Sequence, residues 1–248
     1  AAIMSEIMKG DGNSMRALRN GQKVHKEGEE FKSEDGVLVT DGLGFFPLGI
    51  VDQHFQQRNR MGRLIVALIN NDKFNLGFGV DENTALIYIG QQNKIKVAGG
   101  SGVTIINTEF AEISYHQNIH SFKNIRINYL EDGDTYDTQT AKLIPAQEKT
   151  ATIGNENYDH TVNQVGIFSG VGPSFRDLIT EDLIDNKATN TVRNISFYSQ
   201  DQGFAVDFFQ ENTSKGFYFK NPNGRDPYMV GNIRMDIVPI KQIIESIE

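Results

Sequence analysis

The sequence predicts an α/β fold, and three observations carry that expectation. Phe45 to Val51 is an apolar run that reads as a buried strand and ends in a polar turn. Met61 to Asn70 places Met61, Leu64, Ile65 and Leu68 at i, i+3, i+4 and i+7, the spacing of a helix with one apolar face. Phe74 to Val80 then reads as a second short strand, so strands alternate with a helix.

Composition narrows the function classes. A chain of 248 residues holds one large domain or two ordinary ones. Its 38% hydrophobic and 10% aromatic content is enough for a globular core. Mean hydropathy is negative, and no apolar run approaches the ~18 residues that a membrane-spanning helix needs. A net charge of -8 argues against general nucleic-acid binding, which wants a basic stripe, and is compatible with an arginine-rich substrate. The absence of cysteine excludes disulfides, thiolate metal sites and a cysteine nucleophile, and leaves the compartment open.

Along the chain, residues 1–9 read as a helix stopped by Gly10-Asp11-Gly12, although no capping residue precedes it. Residues 13–41 are polar and read as a long surface excursion, of the kind that serves as a lid or insertion, with His25 solvated among charges. Ala85 to Ile89 and Lys94 to Val97 read as a hairpin around Gln91-Gln92-Asn93. Gly99-Gly100-Ser101-Gly102 reads as a turn before a strand at Val103 to Ile106, because neither a lysine nor a helix follows to make a phosphate cradle. A strand at Ile125 to Leu130 leads into Glu131-Asp132-Gly133-Asp134, which lacks calcium-loop spacing. His116 and His120 have a spacing that binds zinc on a helix, but their context has little helical periodicity, and no metal site is assigned. Residues 141–160, polar and aperiodic, read as a linker, with His160 exposed. A helix over Ser174 to Asp185 follows. Short aromatic-rich segments at 195–198, 204–209, 216–219 and 233–238 then predict a small antiparallel β unit. Its Phe and Tyr side chains read as core, with an aromatic polymer-binding platform as the sharper alternative.

The segment Asp52 to Leu64 is the richest in chemistry. It gathers His54, the neighbours Asp52 and Gln53, and the arginines Arg58, Arg60 and Arg63 directly after the first apolar run. A histidine released there sits where open α/β sheets place their ligands, outside the carboxyl ends of the strands. Arg60 and Arg63 fall on the polar side of the following helix, whereas Arg58 would point into its apolar stripe. Arg58 is therefore expected to precede the regular helix and to face the same pocket as His54. Arginine's planar fork suits a carboxylate, which implies an anionic group on the substrate.

This segment resembles the cyanophycinase family of serine peptidases, relatives of the aspartyl dipeptidases, whose DQH-F-xx-R-x-R-xx-R-L run carries the catalytic histidine. Gly79-Val80-Asp81-Glu82-Asn83-Thr84-Ala85 is similar to the family's G-I-D-E-x-T-A stretch, and the 28-residue separation of His54 from Glu82 suits the family. The opening, Ala1-Ala2-Ile3-Met4-Ser5, looks like text beginning just after a G-x-S-A-G-A nucleophile elbow. The resemblance covers about the first 140 residues.

It implies a class I glutamine amidotransferase-like, flavodoxin-like sheet whose N-terminal half, with the nucleophilic serine, lies upstream. Residues 1–140 would be the C-terminal half of the catalytic domain, 141–160 a linker and 161–248 a mainly-β accessory unit. It further implies hydrolysis of cyanophycin to β-aspartyl-arginine dipeptides, with no metal or organic cofactor. His54 would be general base and then general acid, and Glu82 would orient it. Asp52 and Gln53 would shape the pocket floor, and Arg58, Arg60 and Arg63 would hold carboxylates of the polymer. The order serine, histidine, acid differs from that of the α/β-hydrolases. Ser5, expected inside a helix with no strained turn, is not assigned as nucleophile. Two alternatives stand beside this reading: an aspartyl dipeptidase, and a non-catalytic binding protein without a nucleophile. A homodimer is compatible with all three. The fragment alone is expected to be inert.

Overall fold

The computed structural model describes residues 2–24, 30, 36–116, 119–162, 166–168 and 174–242. Its elements, in chain order, begin with β1 (Ile7–Lys9), α1 (Ser14–Asn20), β2 (Gln22–Val24), β3 (Val37–Asp41), β4 (Ile50–Gln53), α2 (Met61–Ile69) and β5 (Leu76–Val80). The hairpin β6 (Thr84–Ile89) and β7 (Lys94–Gly99) follows, then β8 (Val103–Asn107), β9 (Glu112–His116), β10 (Ile119–Leu130), β11 (Thr135–Asp137), β12 (Lys142–Ile144) and β13 (Thr150–Ala151). The chain continues through α3 (Phe175–Ile179), which runs into a π-helical turn at Thr180–Ile184. It then forms β14 (Thr191–Phe197), β15 (Gln202–Phe209), β16 (Lys215–Tyr218) and β17 (Tyr228–Lys241).

Among the described residues the architecture is mixed α/β, with three sheets and few helices. The main sheet has ten strands along the path β13-β16-β17-β10-β8-β5-β4, with β15, β14 and β9 attached at its side. β4 and β5 are parallel and joined through α2, since parallel neighbours need a crossover; every other pair in that sheet is antiparallel. Both faces of its centre are covered, which is why these strands are apolar at successive positions. Ile50, Ile106 and Ile127 face a core shared with α2 and α3, while Val51, Ile105 and Leu130 face a second core. That second core is closed by the four-stranded sheet β12-β11-β7-β6.

Helix α2, the β6/β7 hairpin, β8 and the four aromatic strands β14 to β17 lie where the sequence places them. Of the aromatics in this unit, Phe204, Phe208 and Tyr228 are buried in the core, Tyr198, Phe209, Phe217 and Tyr218 are half-buried, and Phe197 and Phe219 are exposed. Several expectations are corrected. Residues 1–9 do not form a helix. A single 3₁₀ turn at Ala2–Met4 gives way to β1, which pairs antiparallel with β3. The strand expected at Phe45 to Val51 lies instead at Ile50–Gln53, because Pro47 offers no N–H to a ladder and falls in a turn. The excursion at 13–41 contains α1, β2 and β3. Asn13 caps α1 by accepting from the Arg16 N–H at 3.0 Å, while His25 lies outside the described residues.

Residues 141–160 carry β12 and β13 rather than a free linker, and Lys149 is buried there with its ammonium 2.6 Å from Asp134. β17 pairs with β10 from Phe122 to Leu130, so the sheet passes unbroken from strands before residue 140 to strands after 160. His116 and His120 sit on the paired strands β9 and β10, not on a helix, and His120 stacks on Phe122. No described helix is long and apolar enough to cross a membrane.

Candidate active site

The site forms where β4 and β5 end side by side. His54 follows β4 directly and Glu82 lies two residues past β5, so the parallel pairing of the strands delivers both residues to one edge. His54 Nδ1 stands 2.8 Å from Glu82 Oε1, with the two side chains 39% and 46% exposed. The exposure matters: both groups are open to a ligand. With Nδ1 donating to the carboxylate, the ring's acceptor nitrogen is Nε2.

Backbone geometry keeps the pair in place. His54 adopts φ 47°, in the left-handed region that non-glycine residues enter at a cost of about 1–3 kcal/mol. The loop after it is pinned by Phe55, whose N–H donates to Val80 O at 3.2 Å and whose ring is buried. A Cβ on Gly79 would overlap that ring, so glycine is required for the loop to lie flat on β5. The Glu82 N–H donates to Gln57 Oε1 at 3.2 Å, a second tie between the two loops.

The arginines part company. Arg58 is exposed, and none of the described residues supplies a hydrogen-bond partner to its guanidinium. It precedes the regular helix, as expected. Arg60 occupies the N-cap of α2 and donates to Gln53 O at 2.6 Å, with Asp52 Oδ1 at 3.6 Å. Burial and the nearby Arg63 charge lower its pKa. Arg63 does not lie on a solvated face. It is 4% exposed and forks Asp52 with Nε at 2.9 Å and Nη2 at 2.6 Å, while Nη1 donates to Gly12 O at 2.8 Å.

The cause of that burial is α1. Apolar or small residues surround α2 on nearly all sides, and α1 covers the side that Arg63 shares: Gly62 fits closely against Ser14 and Leu18, and the Gly62 N–H donates to Ser14 Oγ at 2.9 Å. Asp52, itself fully buried, is therefore a structural counter-ion rather than a surface of the pocket floor. Ser5 is buried too, its hydroxyl bonded to Ala2 O and Ile7 O and accepting from the Val51 N–H at 3.2 Å.

Two further groups lie at the site without a role assigned from the sequence. Asp81 is buried, and that burial raises its pKa against the donors of Gln56, Ser101 and Gly102. Gln56 faces Asp81, Tyr129 and the start of α3. Only their adjacency to Glu82 and His54 in the two motifs could have flagged them.

Sequence comparison bears on this arrangement. No protein-family model matches the chain. The chain is similar to the cyanophycinase of Geminocystis herdmanii, 35% identical over 136 residues, covering 52% of this chain and 49% of that protein. It is also similar to the cyanophycinase of Synechococcus elongatus, 33% identical over 150 residues, covering 58% of this chain and 41% of that protein. Over the matched stretch, these similarities support the cyanophycinase family. A third cyanophycinase, from Trichormus variabilis, is 33% identical over 123 residues, covering 47% and 40% respectively. The chain thus spans less than half the length of these cyanophycinases.

Proposed function

We propose that this chain supplies the histidine and acid of a serine-type exopeptidase that degrades cyanophycin to β-aspartyl-arginine dipeptides, on a class I glutamine amidotransferase-like fold. The observation that carries the reading is the 2.8 Å contact between His54 Nδ1 and Glu82 Oε1 at adjacent strand ends. The similarity to cyanophycinases supports the substrate class.

In this reading the nucleophile is an elbow serine preceding Ala1 in the longer protein. As its hydroxyl attacks the peptide carbonyl, His54 Nε2 takes the hydroxyl proton, and Glu82 holds the ring in the Nδ1–H tautomer and stabilises the imidazolium. His54 then returns the proton to the leaving amine. Water repeats the cycle on the acyl-enzyme. Arg58, exposed and four residues from His54, binds a terminal carboxylate of the polymer. Arg60 fixes Gln53 O at the pocket rim, and Arg63 and Asp52 hold the floor from beneath.

The test is a parallel assay of the longer protein, containing the upstream elbow, on cyanophycin and on α-aspartyl dipeptides, with products read by mass spectrometry. Release of β-aspartyl-arginine from cyanophycin is expected. Turnover of the dipeptides alone would move the assignment to an aspartyl dipeptidase, and turnover of neither would leave a binding protein.

A further inference from the structure

The contact between His54 and Glu82 is half-exposed on both sides, and an exposed pair holds itself together by about 1 kcal/mol at most. Its geometry must therefore be set by what fixes the two loops: Gln57 Oε1 accepts from the Glu82 N–H at the exposed side, and Gln56 joins the loops from the buried side. Gln56, two residues after His54, donates through its backbone N–H to Asp81 Oδ1 at 3.0 Å and through Nε2 to Asp81 Oδ2 at 2.6 Å. Asp81 immediately precedes Glu82. Gln56 Nε2 also lies 3.4 Å from the Tyr129 hydroxyl, and its Oε1 accepts from the Arg176 N–H at 2.8 Å.

Behind Gln56 stands a buried frame. Arg176, 1% exposed, donates from Nε to Glu131 Oε1 at 2.8 Å, and the Tyr129 hydroxyl donates to the same oxygen at 3.1 Å. Glu131 Oε2 accepts from the Tyr228 N–H at 2.6 Å. The frame thus reaches from the histidine loop to α3 and β17, elements remote in sequence from either motif.

We propose that the Gln56–Asp81 pair is a positioning element that sets the distance and tautomer of the His54–Glu82 pair by clamping the two loops to each other and to α3. The proposal rests on the reading of His54 and Glu82 as base and orienting acid. Fixing a base to within a fraction of an ångström is worth about a hundredfold in rate, so the clamp is expected to act on kcat more than on KM.

The test uses the ¹⁵N and ¹³C resonances of the His54 ring in isotope-labelled protein, which report the tautomer, with Glu82→Gln as the reference for a ring without its acid. Gln56→Met, of similar length and without donors, is expected to shift the His54 resonances to those of Glu82→Gln while amides away from the two loops stay put. Gln56→Glu, which sets two carboxylates against each other, is expected to do the same. Adding Asp81→Asn to Gln56→Glu reverses the polarity of the contact and is expected to return the unsubstituted resonances. If Gln56→Met does not fold, the Gln56→Glu variant with and without Asp81→Asn carries the test. In the longer protein, Gln56→Met is expected to lower kcat on cyanophycin by about tenfold to a hundredfold with little change in KM. Unshifted His54 resonances in Gln56→Met and Gln56→Glu would overturn the proposal, as would failure of Asp81→Asn to rescue. If Glu82→Gln itself leaves His54 unshifted, the pairing of base and acid is what fails.

Discussion

Asp52 and His54 lie two residues apart at the end of one strand, and each meets an opposite partner at short range, in contrasting surroundings. Asp52 and Arg63 are sealed beneath α1, with side chains 0% and 5% exposed, whereas His54 and Glu82 stand at the surface. The buried pair cannot release a donor to a substrate without leaving a bare charge in the core. The exposed pair contributes little to stability and is open to a ligand. Proximity in sequence thus says nothing about shared surroundings: one contact is sealed in the core and the other stands open at the surface.

Substitutions can break or sharpen this contrast. The largest stability effect is expected from Arg63→Met, which strands the Asp52 carboxylate; the loss is about 3–5 kcal/mol in urea unfolding, and adding Asp52→Asn should recover part of it. Lys149→Met, which strands Asp134, should lose a comparable amount, because that pair is equally buried and burial already pushes the Asp134 pKa up. Arg58→Ala should change stability by about 0.5 kcal/mol or less and raise KM for cyanophycin with kcat largely kept, the pattern of lost uniform binding.

The smallest effect is a pH dependence. Burial lowers the His120 pKa below its ordinary value, so the folded state binds fewer protons there than the unfolded chain. Stability from this residue is present above the unfolded value of about 6.5 and lost as pH falls through the window below it. His120→Phe, which can keep the stack on Phe122, should flatten unfolding midpoints measured between about pH 7 and pH 5.5.

Legibility in the sequence followed periodicity and adjacency. α2 was readable because Leu64, Ile65 and Leu68 repeat at helical spacing, and the pairing of His54 with Glu82 because two motifs carried it. Arg63 lies off the expected solvated face for a physical reason: its burial depends on α1, a short helix in a polar stretch whose apolar residues, Met15, Ala17 and Leu18, are too few to announce a packing face. The role of residues 141–160 was hidden because Lys149 and Asp134 look like surface charges until the strands around them pair. Gln56 and Asp81 were in view, but amide–carboxylate contacts across 25 residues leave no periodic trace.

The account rests on the exposed pair doing chemistry rather than holding the fold, and His54→Ala in the longer protein tests this most directly when kcat on cyanophycin and the urea midpoint are measured on the same sample. A fall in kcat of about 10²–10⁴ with the midpoint nearly unmoved is the predicted result. A near-normal kcat, or a loss that merely tracks unfolding, would contradict it.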